Sequence, residues 1–489
     1  MIARTLHSMA RVGFVLVLAL TSVAQPLTAQ KLDRDKAPTV GKSPSLKVPT
    51  WTKTKLANGA ELIVVEKHDL PLVAMNIDFI GGASNYEAAD KLGVATLSAQ
   101  MLSEGTKSKT ADQLSDAQQL LGTTIFANVG GESGTIRFTS LKDKFEPAMT
   151  LLADMLLEST FPDSALERNR ARALVGLTQA KDQPNTIAAN VFSKVVYGDE
   201  HPYGRVVSEK TVKAITRADV MSFANAYFRP GRAVITVSGD IDAKTARRVV
   251  EKTLAAWPAG GERPTFAYGP VPAPKARTIY LIDKPKAAQS VFALGEPGPA
   301  RSTPDFYALQ VMNHLLGGMF QSRLNHDIRE VKGYSYGVRS SFAYGRGPGA
   351  FNAGGGIVSA KSDSALIGFM THFKGVQGAM PFTDDELKVG KESLVQSLPS
   401  RFSTVNGIAA AISSIYTQDL PETYFKDYAA KIGAVTRDDL VRVAKQYIDL
   451  DHMNLVIVGD RASIEGPLKA TGIAPIQLLD VEGRPVLVP

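Results

Sequence analysis

Two imidazoles one helical turn apart make a metal-binding face, and a carboxylate beside them can polarise a metal-bound water. The sequence offers no such pair. Beyond residue 29 its histidines are His68, His201, His314, His326, His372 and His452, and no two lie three to five residues apart. His68 precedes Asp69 in a turn, and His201 opens the loop His201-Pro-Tyr-Gly204. His314 falls on a helix, and His326 just after the glycine turn that ends it. All four are read as exposed or core-satisfied side chains. Cysteine is absent, which removes thiolate zinc sites, disulfides, thiol catalysis and a lipid-modified N-terminal cysteine. Gly345-Arg-Gly-Pro-Gly349 and Gly354-Gly-Gly356 are rich in glycine. A dinucleotide site needs such glycines between a strand and a helix N-terminus. Here Pro348 interrupts and strand-like apolar residues follow, so no nucleotide site is expected.

The elements that would position any chemistry come in two copies. Ile215-Thr-Arg-Ala-Asp-Val220 repeats as Val435-Thr-Arg-Asp-Asp-Leu440. The same offset of 220 carries Tyr227 onto Tyr447 and Gly239-Asp240 onto Gly459-Asp460 without a gap. Each copy reads as an apolar helix followed by a strand. The front ends correspond more weakly. Glu61–Lys67 and Leu72–Ile80 read as strands, the second with Val73, Met75, Ile77 and Phe79 on one face by period two. Thr278–Ile282 and Ser290–Leu294 take those places in the second half. A helix is expected after each pair, over Ala88–Ser103 and Pro304–Leu316. Between the halves, Trp257-Pro-Ala-Gly-Gly-Glu-Arg-Pro264 and Pro270, Pro272 and Pro274 mark a linker. The expected architecture is therefore α+β. Two homologous domains, each an antiparallel-rich sheet covered by helices, face one another across a cleft. They occupy residues 51–257 and 277–489, with residues 258–276 as linker.

A chain of 489 residues is too long for one hydrophobic core, and 44% hydrophobic with 21% charged residues is ordinary for a folded protein. Residues 1–29 read as a secretory signal: Arg4 and Arg11 precede the short apolar run Val12–Leu20, and small residues up to Ala29 suit cleavage there. The run falls below the roughly 20 residues of a spanning helix, so no stable membrane anchor is expected. Residues 30–50 form a polar leader rich in lysine and proline. The signal looks bacterial, and a periplasmic location follows. Removing Arg4 and Arg11 from a formal charge of +7 leaves a mild, well-mixed positive balance. That gives no argument for nucleic acid.

Lys91-Leu-Gly-Val-Ala-Thr-Leu-Ser-Ala-Gln-Met-Leu-Ser-Glu-Gly-Thr106 resembles the first helix of the pitrilysin/insulinase-type zinc peptidases, the inverzincins. Their helix reads Gly-x-x-His-x-x-Glu-His-Met, then Gly-Thr. Gly93, Met101, Gly105 and Thr106 keep that frame, as do Gly81, Gly82 and Glu87 upstream. The resemblance puts the first histidine on Thr96, the glutamate on Ala99 and the second histidine on Gln100. The family's further zinc-binding glutamate falls on Gly176, in a helix closed by Asp182-x-Pro184. None of these four residues can serve the family's zinc chemistry. In the second half, Leu315–Gly337 is similar to the family's C-terminal signature, in which an arginine and a tyrosine seven residues apart hold substrate and polarise the scissile carbonyl. Arg329 and Tyr336 stand at that spacing, with Tyr334 as the runner-up tyrosine. The signature also implies a strand pair for the glycine-rich segment.

The resemblance, which runs from Trp51 to the C-terminus, implies a non-catalytic, substrate-binding subunit of a heteromeric periplasmic zinc peptidase. No metal is expected in this chain. A catalytic homologue carrying the His-x-x-Glu-His motif would supply Zn2+, and Arg329 and Tyr336 would reach toward it over a peptide substrate. Two alternatives are a scaffolding family member with no part in proteolysis and a self-sufficient metallopeptidase with unrecognised ligands.

Overall fold

A computed structural model describes residues 46–266, 268–273 and 275–486. The signal expected over 1–29 and most of the leader over 30–50 lie outside the described residues. The first half supplies β1 (Thr52–Lys55), β2 (Glu61–Glu66), β3 (Leu72–Ile80), β4 (Phe126–Val129), β5 (Ser133–Leu141) and β6 (Ala233–Gly239). They form one mixed sheet in the order β1-β2-β6-β3-β5-β4. The second half supplies β7 (Thr278–Asp283), β8 (Gln289–Pro297), β9 (Ser335–Phe342), β10 (Ala350–Val358), β11 (Asn454–Gly459) and β12 (Ile476–Leu479), in the order β12-β7-β11-β8-β10-β9.

The two sheets are copies of one plan. β2 pairs parallel with β6, as β7 does with β11, and both sheets are otherwise antiparallel through their centres. They differ at one edge. β1 precedes β2 in the chain and runs antiparallel to it, whereas β12 comes from the far end of the chain and runs parallel to β7. The glycine-rich segment forms the expected hairpin, with Gly354–Gly356 inside β10 between β8 and β9.

The helices that pack around these sheets include α1 (Val94–Met101), α2 (Asp163–Ala180), α3 (Pro184–Tyr197), α4 (Arg217–Tyr227), α5 (Phe306–Asn313), α6 (Asp384–Ser397), α7 (Val405–Thr417) and α8 (Arg437–Tyr447). The offset of the sequence repeat is built into α4 and α8. Both begin with a reciprocal capping box, in which the backbone N–H of Asp219 or Asp439 donates to Thr216 or Thr436 at 3.2 Å and the aspartate carboxylate accepts in return.

α1 starts later than the expected Ala88. Gly93, at φ 101°, sets its entry. The Glu87 carboxylate accepts from the N–H groups of Gly93 and Ala95 at 2.9 and 2.7 Å. That bond fixes the helix start, because it satisfies donors that no helical carbonyl can reach.

Each half lends a helix to the other. α3 belongs to the first half, yet its Ile187, Val191 and Val196 pack with Tyr280, Ile282, Val456 and Val458 of the second sheet. α7 belongs to the second half. Its Val405 and Ala409 lie on Ala74 of β3, and its Ile408, Ile412 and Ile415 pack with Ile63, Val65, Ile80 and Val234. This explains why β3 is buried on both faces. Val73, Met75, Ile77 and Phe79 face their own half's core, while the smaller residues between them receive α7.

Candidate functional site

Thr96 and Gln100 lie one turn apart on the exposed side of α1, and Ala99 is buried beside them. α2 crosses α1 and carries Gly176. These four residues line a single cavity of about 680 Å³. Its other walls are apolar, from Leu97, Ile125, Phe126, Met155 and Leu177. Glu104, Asn169 and Arg172 add polar groups that the family resemblance does not single out. Their spacing held a signal: Glu104 is one turn beyond Gln100, and Asn169 is two turns before Gly176 on the same helix face.

The donor set does not suit zinc. A hydroxyl, a methyl, a carboxamide and a bare backbone replace imidazole and carboxylate. Glu104 is the one carboxylate lining the cavity, and it is already engaged. Asn169 Nδ2 donates to it at 2.8 Å, and Arg168 pairs with it. Among the described residues, no group of three or more His, Asp or Glu side chains is placed to hold a metal ion.

The histidines are held singly. His201 is buried, stacked on Tyr197 with ring centroids 5.1 Å apart, and burial lowers its pKa. His314 Nε2 meets Ser393 Oγ at 3.0 Å, and burial lowers it as well. His372 pairs with Asp327 at 3.1 Å, His452 with Asp449 at 2.7 Å, and His68 with Asp240 at 2.6 Å.

Arg329 and Tyr336 do come together. Arg329 lies in the π-helical turn His326–Val331 that precedes β9, and Tyr336 projects from β9, the edge strand. The guanidinium carbon sits 5.2 Å from the Tyr336 ring centroid and 4.6 Å from that of Phe320, so the cation is held between two rings. Buried Asn325 fixes this geometry. Its Nδ2 donates to the Phe320 carbonyl at 2.7 Å, and its Oδ1 accepts from Val338 N at 3.1 Å. Arg329 also pairs with Glu330 at 3.2 Å, but Tyr336 does not pack into the sheet: it is 88% exposed. Tyr334 is half-buried and packs against the core of its own half, which leaves Tyr336 as the outward tyrosine. Neither Arg329 nor Tyr336 lines the cavity at Thr96 and Gly176.

Two regions of the chain match one peptidase family. Residues 64–204 match the family model described as Insulinase (Peptidase family M16), and residues 214–394 match the Peptidase M16 inactive domain. The relative in Bacillus subtilis called Uncharacterized zinc protease YmxG is 28% identical over 285 residues, which span 58% of this chain and 68% of that protein. An uncharacterized zinc protease of Mycobacterium leprae is 29% identical over 59% of this chain, and the match spans 65% of its length. Among solved structures, the peptidase M16 inactive domain from Pseudomonas fluorescens superposes with a TM-score of 0.76 at 27% identity, covering 84% of this chain and 98% of that one. The periplasmic protease PqqL from Escherichia coli shares the fold, with a TM-score of 0.70 at 15% identity over 86% of this chain and 50% of that one.

Proposed function

The chain belongs to peptidase family M16, and we propose that it is a non-catalytic, substrate-binding subunit whose partner is a zinc-bearing homologue. One observation carries the reading. The cavity where a zinc site would stand is lined by Thr96, Ala99, Gln100 and Gly176, while half-buried Arg329 and exposed Tyr336 form a pre-positioned pair elsewhere on the surface. A guanidinium and a phenol can both donate to the oxyanion that develops when water attacks a peptide carbonyl. One such donor is typically worth about 10²–10³ in rate. In the assembled enzyme the partner holds Zn2+ and activates water, and this chain binds the peptide and offers Arg329 and Tyr336 to the scissile carbonyl. Among the described residues no helix is long and apolar enough to cross a membrane. The secretory reading of residues 1–29 and the likeness to a periplasmic protease support a periplasmic home for the complex.

The test is peptidase activity on a quenched peptide library. It compares this chain alone, this chain with a zinc-motif homologue, and the same mixture with Arg329→Ala or Tyr336→Phe. Activity in the mixture alone, weakened by either substitution, supports the proposal. Chelator-sensitive activity from this chain alone overturns it. A mixture indifferent to both substitutions points to a scaffold.

A further inference from the structure

A second cavity, of about 270 Å³, lies at the seam between the halves. The C-terminal end of α3, the linker, the ends of β8 and β12 and the start of β11 surround it. Glu296 lines it and is 6% exposed. One of its carboxyl oxygens accepts from Asp449 N at 2.6 Å, and among the described residues that is its one hydrogen bond. The other oxygen has no hydrogen-bond partner among the described residues. A buried carboxyl with an unused oxygen is costly unless something pairs with it.

The rim supplies the opposite charge. Lys275 pairs with no carboxylate among the described residues. Lys194 is anchored, donating to the Glu482 carbonyl at 2.8 Å with Asp199 3.7 Å away. His452 Nδ1 meets Asp449 Oδ2 at 2.7 Å, and among the described residues its Nε2 has no hydrogen-bond partner. The cavity thus has a carboxyl at its floor and an unspent cation at its mouth.

We propose that the seam cavity binds a small zwitterion through its α-ammonium and α-carboxylate. The bound species is a free dipeptide, whose two terminal groups are close enough to meet both. The ammonium meets Glu296 and the carboxylate meets Lys275. A neutral zwitterion adds no net charge to a site that buries one carboxyl, and it pairs that carboxyl where water does so poorly. Burial holds the Glu296 carboxyl up at about 8, with Asp449 nearby adding to the effect. Lys194, Asp199, Lys275, Tyr280 and His452 are the other titratable groups lining the cavity, and Asp199 lies 3.7 Å from Lys194. An arriving ammonium favours the ionised carboxyl, so binding near pH 7 releases a proton.

Isothermal titration of the full chain with Ala-Ala tests this without any partner subunit, so its failure leaves the peptidase reading untouched. Expected are saturable heat with Ala-Ala, at least tenfold weaker binding of N-acetyl-Ala-Ala and of Ala-Ala-amide, and at least tenfold weaker binding by Glu296→Gln and Lys275→Ala. The heat in phosphate and in Tris should differ through the released proton, and Glu296→Gln should abolish the difference. Glutamine keeps the shape of the neutral carboxyl, so that variant separates ligand binding from folding. Penta-alanine, whose termini lie too far apart to meet both groups, should bind at least tenfold more weakly, and equal binding would count against the proposal. No heat with Ala-Ala, equal binding of the acetylated form, or binding unchanged in Glu296→Gln overturns the proposal.

Discussion

Thr96, Ala99, Gln100 and Gly176 are small or flexible, and the helices that carry them still cross around an open cavity. A Cβ added at Gly176 would meet nothing within 4 Å, so a longer side chain has room there. The combined variant Thr96→His, Ala99→Glu, Gln100→His and Gly176→Glu is therefore expected to bind zinc where the parent chain does not, as read by metal content after dialysis. Failure to retain metal in a folded variant would show that α1 and α2 no longer hold the required approach. On the other face, Asn325 is 1% exposed and ties the Phe320 carbonyl to Val338. Asn325→Ala should cost roughly 1–3 kcal/mol by stranding those groups, and in the mixed enzyme it should raise KM by loosening Arg329. A denaturation midpoint and a KM measurement check the two effects separately. Arg329→Ala should raise KM further and also lower kcat of the mixture, because the guanidinium holds the peptide in the ground state and donates more strongly to the charge that develops in the transition state.

Helices and strands were legible where their reasons were local. β3 showed its core face by alternation, and α4 and α8 showed themselves by matching Thr and Asp three residues apart. The start of α1 was not legible, because it depends on the Glu87 side chain folding back onto the N–H groups of Gly93 and Ala95. The exchange of α3 and α7 was equally hidden: their partner sheets lie in the other half of the sequence, and an amphipathic pattern says that a helix is buried without saying against what. The Arg329–Tyr336 pair was found through the resemblance to the family's C-terminal signature, whereas the third member, Phe320, was missed because its loop position has no periodicity to read. The exchange makes a prediction of its own. Ile412 is fully buried in α7 among residues of the first sheet, so Ile412→Ala should cost about 2–5 kcal/mol. The loss should appear in both halves at once, as faster amide exchange in β2 and β3 as well as in α7. Exchange confined to the second half would mean that the halves unfold separately.

For the whole molecule, the seam between the halves is also where acid–base chemistry touches stability. Glu296 is held up at about 8 against an ordinary value of 4.5, chiefly because burial penalises its charged form. Asp449 pushes in the same direction, and the backbone bond from Asp449 opposes it. Between those two values the folded chain keeps a proton that the unfolded chain has released. Stability therefore falls as pH rises when the unfolded state binds fewer protons. The Glu296 contribution is fully present below about pH 4.5, declines as pH climbs toward about 8, and is flat above that. Asp78, buried under α7 and bonded to Ser413, is raised by burial too, so the parent protein alone would not isolate either group. The difference between parent and Glu296→Gln does isolate one. The variant cannot ionise at this position, so its urea midpoint should match the parent's below about pH 4 and exceed it increasingly up to about pH 8, with a constant gap beyond. A gap that does not change between pH 5 and 8 would mean that Glu296 is ionised in the folded protein. The same curves repeated with saturating Ala-Ala link the seam to its ligand: if the ammonium pairs with an ionised Glu296, the parent's loss of stability between pH 5 and 8 should shrink, while the variant's curve should stay where it was.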